Sequence, residues 1–276
     1  MLQIETNAPQ AGWRPFVLLL YGMPKVGKTT MAASFHPSGS KGSLIIDTED
    51  GSDEVACNRI KVKTLEELSQ ALNLAYKSEF GTIAVDTLDR IYHWTELETV
   101  KSLNAKYNTR HTAVEEFSYG LGTAVARNQL LAFINKLSVF KSVGKCVLLI
   151  SHQRQATIET ESEKSRTVDL PGKLSRMIAA SVDAIGLVYV KMDNNGRLHR
   201  YISFKPYGQV DAGCRLRELA GKDLPFTFNA IHDALVNGKE GDTDEQRTQE
   251  PDLVGAGLQV SGGNGHSGRK SGRAHS

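Results

Sequence analysis

The chain is expected to fold as an α/β domain, with a mostly parallel central sheet flanked by helices and a C-terminal antiparallel hairpin. Three observations carry that expectation. Gly22-Met23-Pro24-Lys25-Val26-Gly27-Lys28-Thr29 has the spacing G-x-x-x-x-G-K-[ST] of a phosphate-binding loop. Short apolar runs at residues 16–21, 44–46, 82–85 and 146–150 have the length and composition of buried parallel strands. Asp193-Asn194-Asn195-Gly196 separates two further strand-like stretches and holds the Asn-Gly hairpin signal.

The loop stands in the context its chemistry requires. Phe16-Val17-Leu18-Leu19-Leu20-Tyr21 before it reads as a buried strand, and Thr30-Met31-Ala32-Ala33 after it as the start of a helix. Gly22 and Gly27 allow the backbone to turn so that N–H groups converge on a phosphate. The backbone of residues 24–29 is expected to hold the phosphates, with Pro24, Lys25, Val26 and Thr30 in the cradle. Lys28 is placed to reach the β- and γ-phosphates and the Thr29 hydroxyl to ligate Mg²⁺. With glycine at about 7% of residues, such a pattern arises by accident in roughly one chain in a hundred of this length.

Composition narrows the setting. The 276 residues suffice for one large domain, and 40% hydrophobic with 23% charged residues is ordinary for a soluble globular chain. A net charge of +2 requires that any basic surface be local. Cys57, Cys146 and Cys214 are far apart without C-x-x-C spacing, which argues against a disulfide framework or zinc site and for a reducing cytoplasmic compartment. The first residues lack the apolar core of a signal peptide, and the apolar runs are too short for a membrane span.

Residues 1–15 read as an arm or edge strand, 16–237 as the nucleotide-binding domain, and 238–276 as a disordered Gly/Ser-rich tail with a basic end. Within the domain, Leu44-Ile45-Ile46 leads into Asp47-Thr48-Glu49-Asp50-Gly51, an acidic cluster expected at the sheet edge that carries the phosphate loop. Thr64 and Glu67 have capping-box spacing, and Leu65, Leu68, Leu72 and Tyr76 predict a helix to about residue 80. Thr82-Ile83-Ala84-Val85-Asp86 is a strand ending in a carboxylate, the Walker B pattern, and Asp86 is expected to hold the Mg²⁺ shell opposite Thr29.

A helix from residue 88 to 107 should turn Ile91, Trp94, Leu97 and Val100 inward. After a polar stretch closing in Gly120-Leu121-Gly122, either a surface loop or a helix-to-helix turn, a second long helix should bury Val125, Leu131, Ile134 and Leu137. The next strand, Cys146-Val147-Leu148-Leu149-Ile150, ends in Ser151-His152-Gln153, where a polar group can sense a γ-phosphate. Residues 155–168 read as a mobile loop.

Taken together, the strand ends carrying Lys28 and Thr29, Glu49, Asp86, and His152 with Gln153 resemble the RecA-like branch of P-loop ATPases. The stretches around Gly22 to Thr30, Asp47 to Gly51 and Ile150 to His152 look like the phage-borne, AAA-labelled members linked to single-strand annealing and recombination. The resemblance spans roughly residues 14–220. It implies a RecA-like domain binding ATP and Mg²⁺, with Glu49 as general base and Gln153 with His152 as the sensor. It also implies single-stranded DNA as partner, and a homo-oligomer in which a neighbour's Lys205, Arg215 or Arg217 completes the site. The absence of a lysine directly after Gly22 separates the loop from the ParA type, and no guanine-reading N-K-x-D follows Asp86. A nucleotide-switched module that recruits replication proteins and a DnaB-like helicase motor share the same core residues.

Overall fold

A ten-stranded sheet forms the spine of the computed structural model, which describes residues 12–155, 166–171, 174–206 and 210–238. In chain order the elements are β1 (Val17–Gly22), α1 (Lys28–Ala32), β2 (Ser43–Asp47), β3 (Asn58–Lys61), α2 (Leu65–Lys77), β4 (Thr82–Asp86), α3 (Leu88–Tyr107), α4 (Leu121–Leu137) and α5 (Val139–Ser142). Then come β5 (Cys146–Gln155), β6 (Arg166–Val168), α6 (Leu174–Ser181), β7 (Ala184–Met192), β8 (Leu198–Ser203), β9 (Gly213–Cys214), β10 (Asp223–Pro225) and α7 (Phe228–Asn237). The strand order is β10-β8-β7-β1-β5-β4-β2-β3, with β6 on β5 and β9 on β7. From β7 through β3 that path is parallel, and the β7–β8 hairpin and β10 close it antiparallel, as the sequence predicts.

Period-two alternation divides the strands between two cores. Val17, Leu19 and Tyr21 join the apolar sides of α2, α3, α4 and α6, while Phe16, Leu18 and Leu20 join α1, α7 and Phe35 on the other face. All six residues of β1 are buried, which is why it reads as a continuous apolar run.

Helix ends follow their caps. Thr64 accepts from the Glu67 amide at 3.1 Å, and the Glu67 carboxylate reaches back to the Lys63 amide at 2.6 Å. Helix α2 stops at Lys77 with Ser78 as its C-cap, short of residue 80. It buries Leu68, Ala71 and Ala75 and leaves Tyr76 exposed, because small residues let it lie close to the sheet. In α3 the buried set is Leu88, Ile91, Tyr92, Thr95, Thr99 and Leu103, and Leu97 faces solvent. In α4 it is Gly122, Ala126, Leu130, Ile134 and Leu137, with Val125 and Leu131 only half-buried. Both inward stripes are rotated from those expected because alanine fits close to the sheet and a helical threonine can bury its hydroxyl on its own helix, as Thr95 does on the Ile91 carbonyl.

Residues 12–15 form no edge strand. Gly12 donates to the Leu235 carbonyl at 3.0 Å, and Trp13 packs against Phe16, Phe35 and Phe228. The rest of the arm (1–11), the core of the 155–168 loop (156–165) and the tail from 239 lie outside the described residues. The flanks of that loop are strand, since Gln153, Arg154 and Gln155 pair with Val168, Thr167 and Arg166.

Gly22 is where the fold constrains the phosphate loop most directly. It pairs with Val188 of β7, and a Cβ on it would lie 2.5 Å from the Val188 carbonyl oxygen. Backbone cannot yield as a flexible side chain would. Gly22→Ala is expected to lower stability by about 1–3 kcal/mol, the cost typical of overpacking, measured as a reduced urea midpoint at unchanged slope.

Candidate functional site

The carboxyl ends of the parallel strands converge on one edge, and the register fixes which residues meet there. Gly22 pairs with His152, Ile150 with Asp86, and Asp86 with Asp47. Strand β5 lies between β1 and β4, so the phosphate loop and Asp86 belong to strands that do not touch. Helix α1 bridges them. The Thr29 hydroxyl donates to Asp86 Oδ2 at 2.6 Å.

The loop has the special backbone its glycines predict. Gly27 takes φ 98° as the residue before α1, and Lys25 also takes positive φ at 64°. The Lys25 side chain is exposed, as are Pro24 and Thr30, whereas Val26 is buried in the α1-side core and anchors the loop. Pro24 has no amide hydrogen, so the backbone donors of the loop begin at Lys25 rather than at residue 24. Lys28 is buried, and its ammonium donates to the Gly22 and Met23 carbonyls at 2.9 and 3.0 Å. Burial pulls its pKa down, against the opposing pull of Asp86, Asp89 and Glu49.

Asp86 is buried too. Burial pushes its carboxyl up to about 6, helped by the charges of Asp47 and Glu49 and opposed by the Thr29 hydrogen bond and Lys28. Thr48 ties the neighbouring strand ends together. Its amide and hydroxyl donate to the Asp86 carbonyl at 2.8 and 3.0 Å, and its Oγ1 accepts from the Thr87 amide at 2.9 Å.

Glu49 sits half-exposed just beyond β2, within electrostatic range of Lys28, Asp86 and His152. Its carboxylate faces the Arg90 guanidinium at 3.7 Å. The turn that carries it is built by Asp47, fully buried, which accepts from the Glu49 amide at 3.0 Å, the Ser52 amide at 3.1 Å and the Ser52 hydroxyl. The acidic cluster thus divides by role. Asp47 shapes the turn, Asp50 pairs with Lys61 and Lys63 away from it, and Glu49 faces the site.

No sequence motif marks Asp89, yet it organises β5 at Ser151 and His152. It accepts from His152 Nδ1 at 2.6 Å, from the His152 amide at 2.9 Å and from the Ser151 hydroxyl. That hydrogen bond raises the His152 pKa against the cost of burial. The available signal was position. Thr87 caps α3, accepting from the Arg90 amide, and Asp89 is the acidic residue of its first turn. Gln153 is half-buried and its backbone pairs with Val168, but its side chain makes no hydrogen bond among the described residues. Lys205 pairs with Asp223 at 2.8 Å and Arg215 donates to the Ala180 carbonyl, contacts that do not involve the loop, while Arg217 is exposed.

A phosphate loop, a threonine on the helix after it, and a strand-end aspartate opposite define a P-loop nucleotide-binding protein. More narrowly, the chain belongs to the AAA_24 family, described as an AAA domain, which matches residues 14–216. It thus combines a phosphate-binding loop and a mostly parallel α/β sheet with membership of a family described as an AAA domain. No curated protein sequence matches the chain. Among solved structures it is similar to a KaiC-like protein from the hyperthermophilic archaeon Pyrococcus horikoshii OT3, at 14% identity and TM-score 0.41, covering 76% of this chain and 84% of that one. It is also similar to the flagellar accessory protein FlaH from Methanocaldococcus jannaschii, at 11% identity and TM-score 0.40, covering 78% and 86%. Among the described residues, no helix is long and apolar enough to cross a membrane.

Asp86 yields a pH test. Burial raises its carboxyl to about 6 in the fold, against about 3.9 in an unfolded chain. The folded state therefore holds the proton more tightly. This contribution to stability is fully present below about pH 4 and is lost as pH rises through about 6. Asp86→Asn removes the loss, so relative to the parent it should gain about 2–3 kcal/mol between pH 4 and pH 8 without Mg²⁺. Urea melts of both proteins at the two pH values measure the difference.

Proposed function

We propose that the protein is a Mg²⁺-dependent ATPase of RecA-like type that acts on single-stranded DNA in phage recombination or replication. The observation that carries the ATPase part is the 2.6 Å contact of Thr29 with Asp86, made between elements of strands that are not neighbours. A hydroxyl and an ionisable carboxylate meet there beside the loop, and burial with Asp47 and Glu49 drives that carboxylate toward protonation. Such a pair of hard oxygen donors, one of them a carboxyl that a cation would hold in its ionised form, would suit Mg²⁺. No cluster of three or more His, Cys, Asp or Glu able to hold a metal occurs among the described residues, and this mode of binding needs none. When bound, Mg²⁺ neutralises charge on the phosphate oxygens.

The chain's own groups supply the rest. Amides from Lys25 to Thr30 hold the phosphates, and Lys28 neutralises charge as it develops on them. For this its ammonium exchanges the Gly22 and Met23 carbonyls for phosphate oxygens. Glu49 accepts a proton from the attacking water, and Arg90 holds its carboxylate at the mouth of the site. His152, oriented by Asp89, and Gln153 sense the γ-phosphate at the point where β5 leads toward residues 156–165. A basic residue of a neighbouring copy, Lys205, Arg215 or Arg217, completes the site in an oligomer.

The DNA assignment rests on the family resemblance and on one surface feature. Tyr119 is completely exposed at positive φ (57°), in the connection between α3 and α4. An aromatic ring held out in this way is a stacking platform for an unpaired base. The test is ATP hydrolysis with and without single-stranded DNA at two salt concentrations. Stimulation that fades with salt is expected, and Tyr119→Ala should weaken it while leaving basal turnover intact. Lys28→Ala should abolish turnover. Glu49→Gln should retain nucleotide binding and lose hydrolysis by at least about 100-fold, and normal turnover in that variant would remove Glu49 from the mechanism.

A further inference from the structure

Arg200 belongs to the far side of the sheet from Asp86, yet its side chain reaches the phosphate loop. An atom at the Cβ position of Gly27 would lie 3.1 Å from Arg200 Nη1 and 3.7 Å from its Cζ. The guanidinium therefore occupies the space beside Gly27, the N-cap residue immediately before Lys28 and α1.

The strand pattern puts it there. In β8, Ile202 is fully buried in the core on the α1 side, and Phe204 just beyond the strand is buried with it. Arg200 is two residues before Ile202 and so points to the same face. Because β8 runs antiparallel to β7, its early residues lie at the edge where the parallel strands end, with Arg200 opposite Val190 and Ile202 opposite Val188. Val188 is in turn the partner of Gly22, the first residue of the loop. The alternation that buries Ile202 and Phe204 thus carries the next residue on that face over the loop.

The local chemistry gives this position a purpose. Arg200 is exposed, and its guanidinium has no carboxylate partner among the described residues. It lies against backbone whose N–H groups already present partial positive charge, a juxtaposition of like sign. A bound polyphosphate reverses the sign of that interaction, since a guanidinium donates in a planar fork to phosphate oxygens.

We propose that Arg200 is a nucleotide-binding residue supplied by the same chain, which donates to the phosphates of ATP and ADP from the solvent side of the loop. The proposal rests on the nucleotide-binding reading above and adds a cation that neither the loop motif nor the Walker B motif contains.

The test is titration of the full chain with a fluorescent ATP analogue and the matching ADP analogue, in the presence of Mg²⁺. Arg200→Ala is expected to weaken both by tenfold or more, with an unchanged urea midpoint. Arg200→Lys should recover part of the affinity. Lys191→Ala removes a charge of the same sign from β7 and should change affinity less than twofold. Affinity of Arg200→Ala within twofold of the parent overturns the proposal and leaves the nucleotide reading standing. An equal loss in Lys191→Ala also overturns it, since general charge would then account for the effect. Failure of the parent to bind either analogue overturns the nucleotide reading, and the role of Arg200 with it.

Discussion

A hydroxyl on α1 and a carboxylate at the end of β4 meet at 2.6 Å, and much of the architecture serves to make that meeting possible. Their strands are separated by β5, so the contact depends on the registers of β1 with β5 and of β5 with β4. A slip of one residue in either would move each side chain of the strand into the opposite core and carry Asp86 away from Thr29. The continuous burial of β1, β2 and β4 makes such a slip costly on both faces. Gly22 adds a second constraint by letting the start of the loop lie against Val188.

Around this contact the site is an electrostatic balance weighted toward negative charge. One buried ammonium, Lys28, faces Asp86, Asp89 and Glu49, and each raises its affinity for a proton. Asp47 adds to the field at Asp86, although its own oxygens are occupied by the turn it shapes. A nucleotide brings more negative charge to such a place. Added cations would offset that charge, and the roles proposed for Thr29 with Asp86 and for the Arg200 guanidinium near Gly27 are two ways of supplying them.

The parts legible in the sequence were those governed by local pattern. The loop spacing, the apolar strand runs and the Asp-Asn-Asn-Gly turn each carry their meaning within a few residues, and the parallel sheet and hairpin follow from them. The placement of Glu49 and His152 at one edge with Asp86 came from the rule that ligand residues gather where parallel strands end. What stayed hidden depends on three dimensions. Asp89 looks like an ordinary first-turn acid until β5 comes beside α3 and brings Ser151 and His152 to it. Arg200 looks like a surface cation on a hairpin until the antiparallel register places it over Gly27. The rotated stripes of α3 and α4 have a simpler origin, since threonine, alanine and tyrosine fill inward positions that a search for large aliphatic residues overlooks.

The interposition of β5 has a consequence for the order in which the molecule can come into being. The phosphate loop and the Asp86 strand are complete within the first third of the chain, yet the strand that joins them begins only at Cys146. A nascent chain ending before that point holds both motifs with a missing rail between them, and exposes the apolar edges of β1 and β4 to whatever is nearby. Function in this architecture is therefore a late event of synthesis, and the interval before β5 docks is when the young chain most needs protection from other sticky strands.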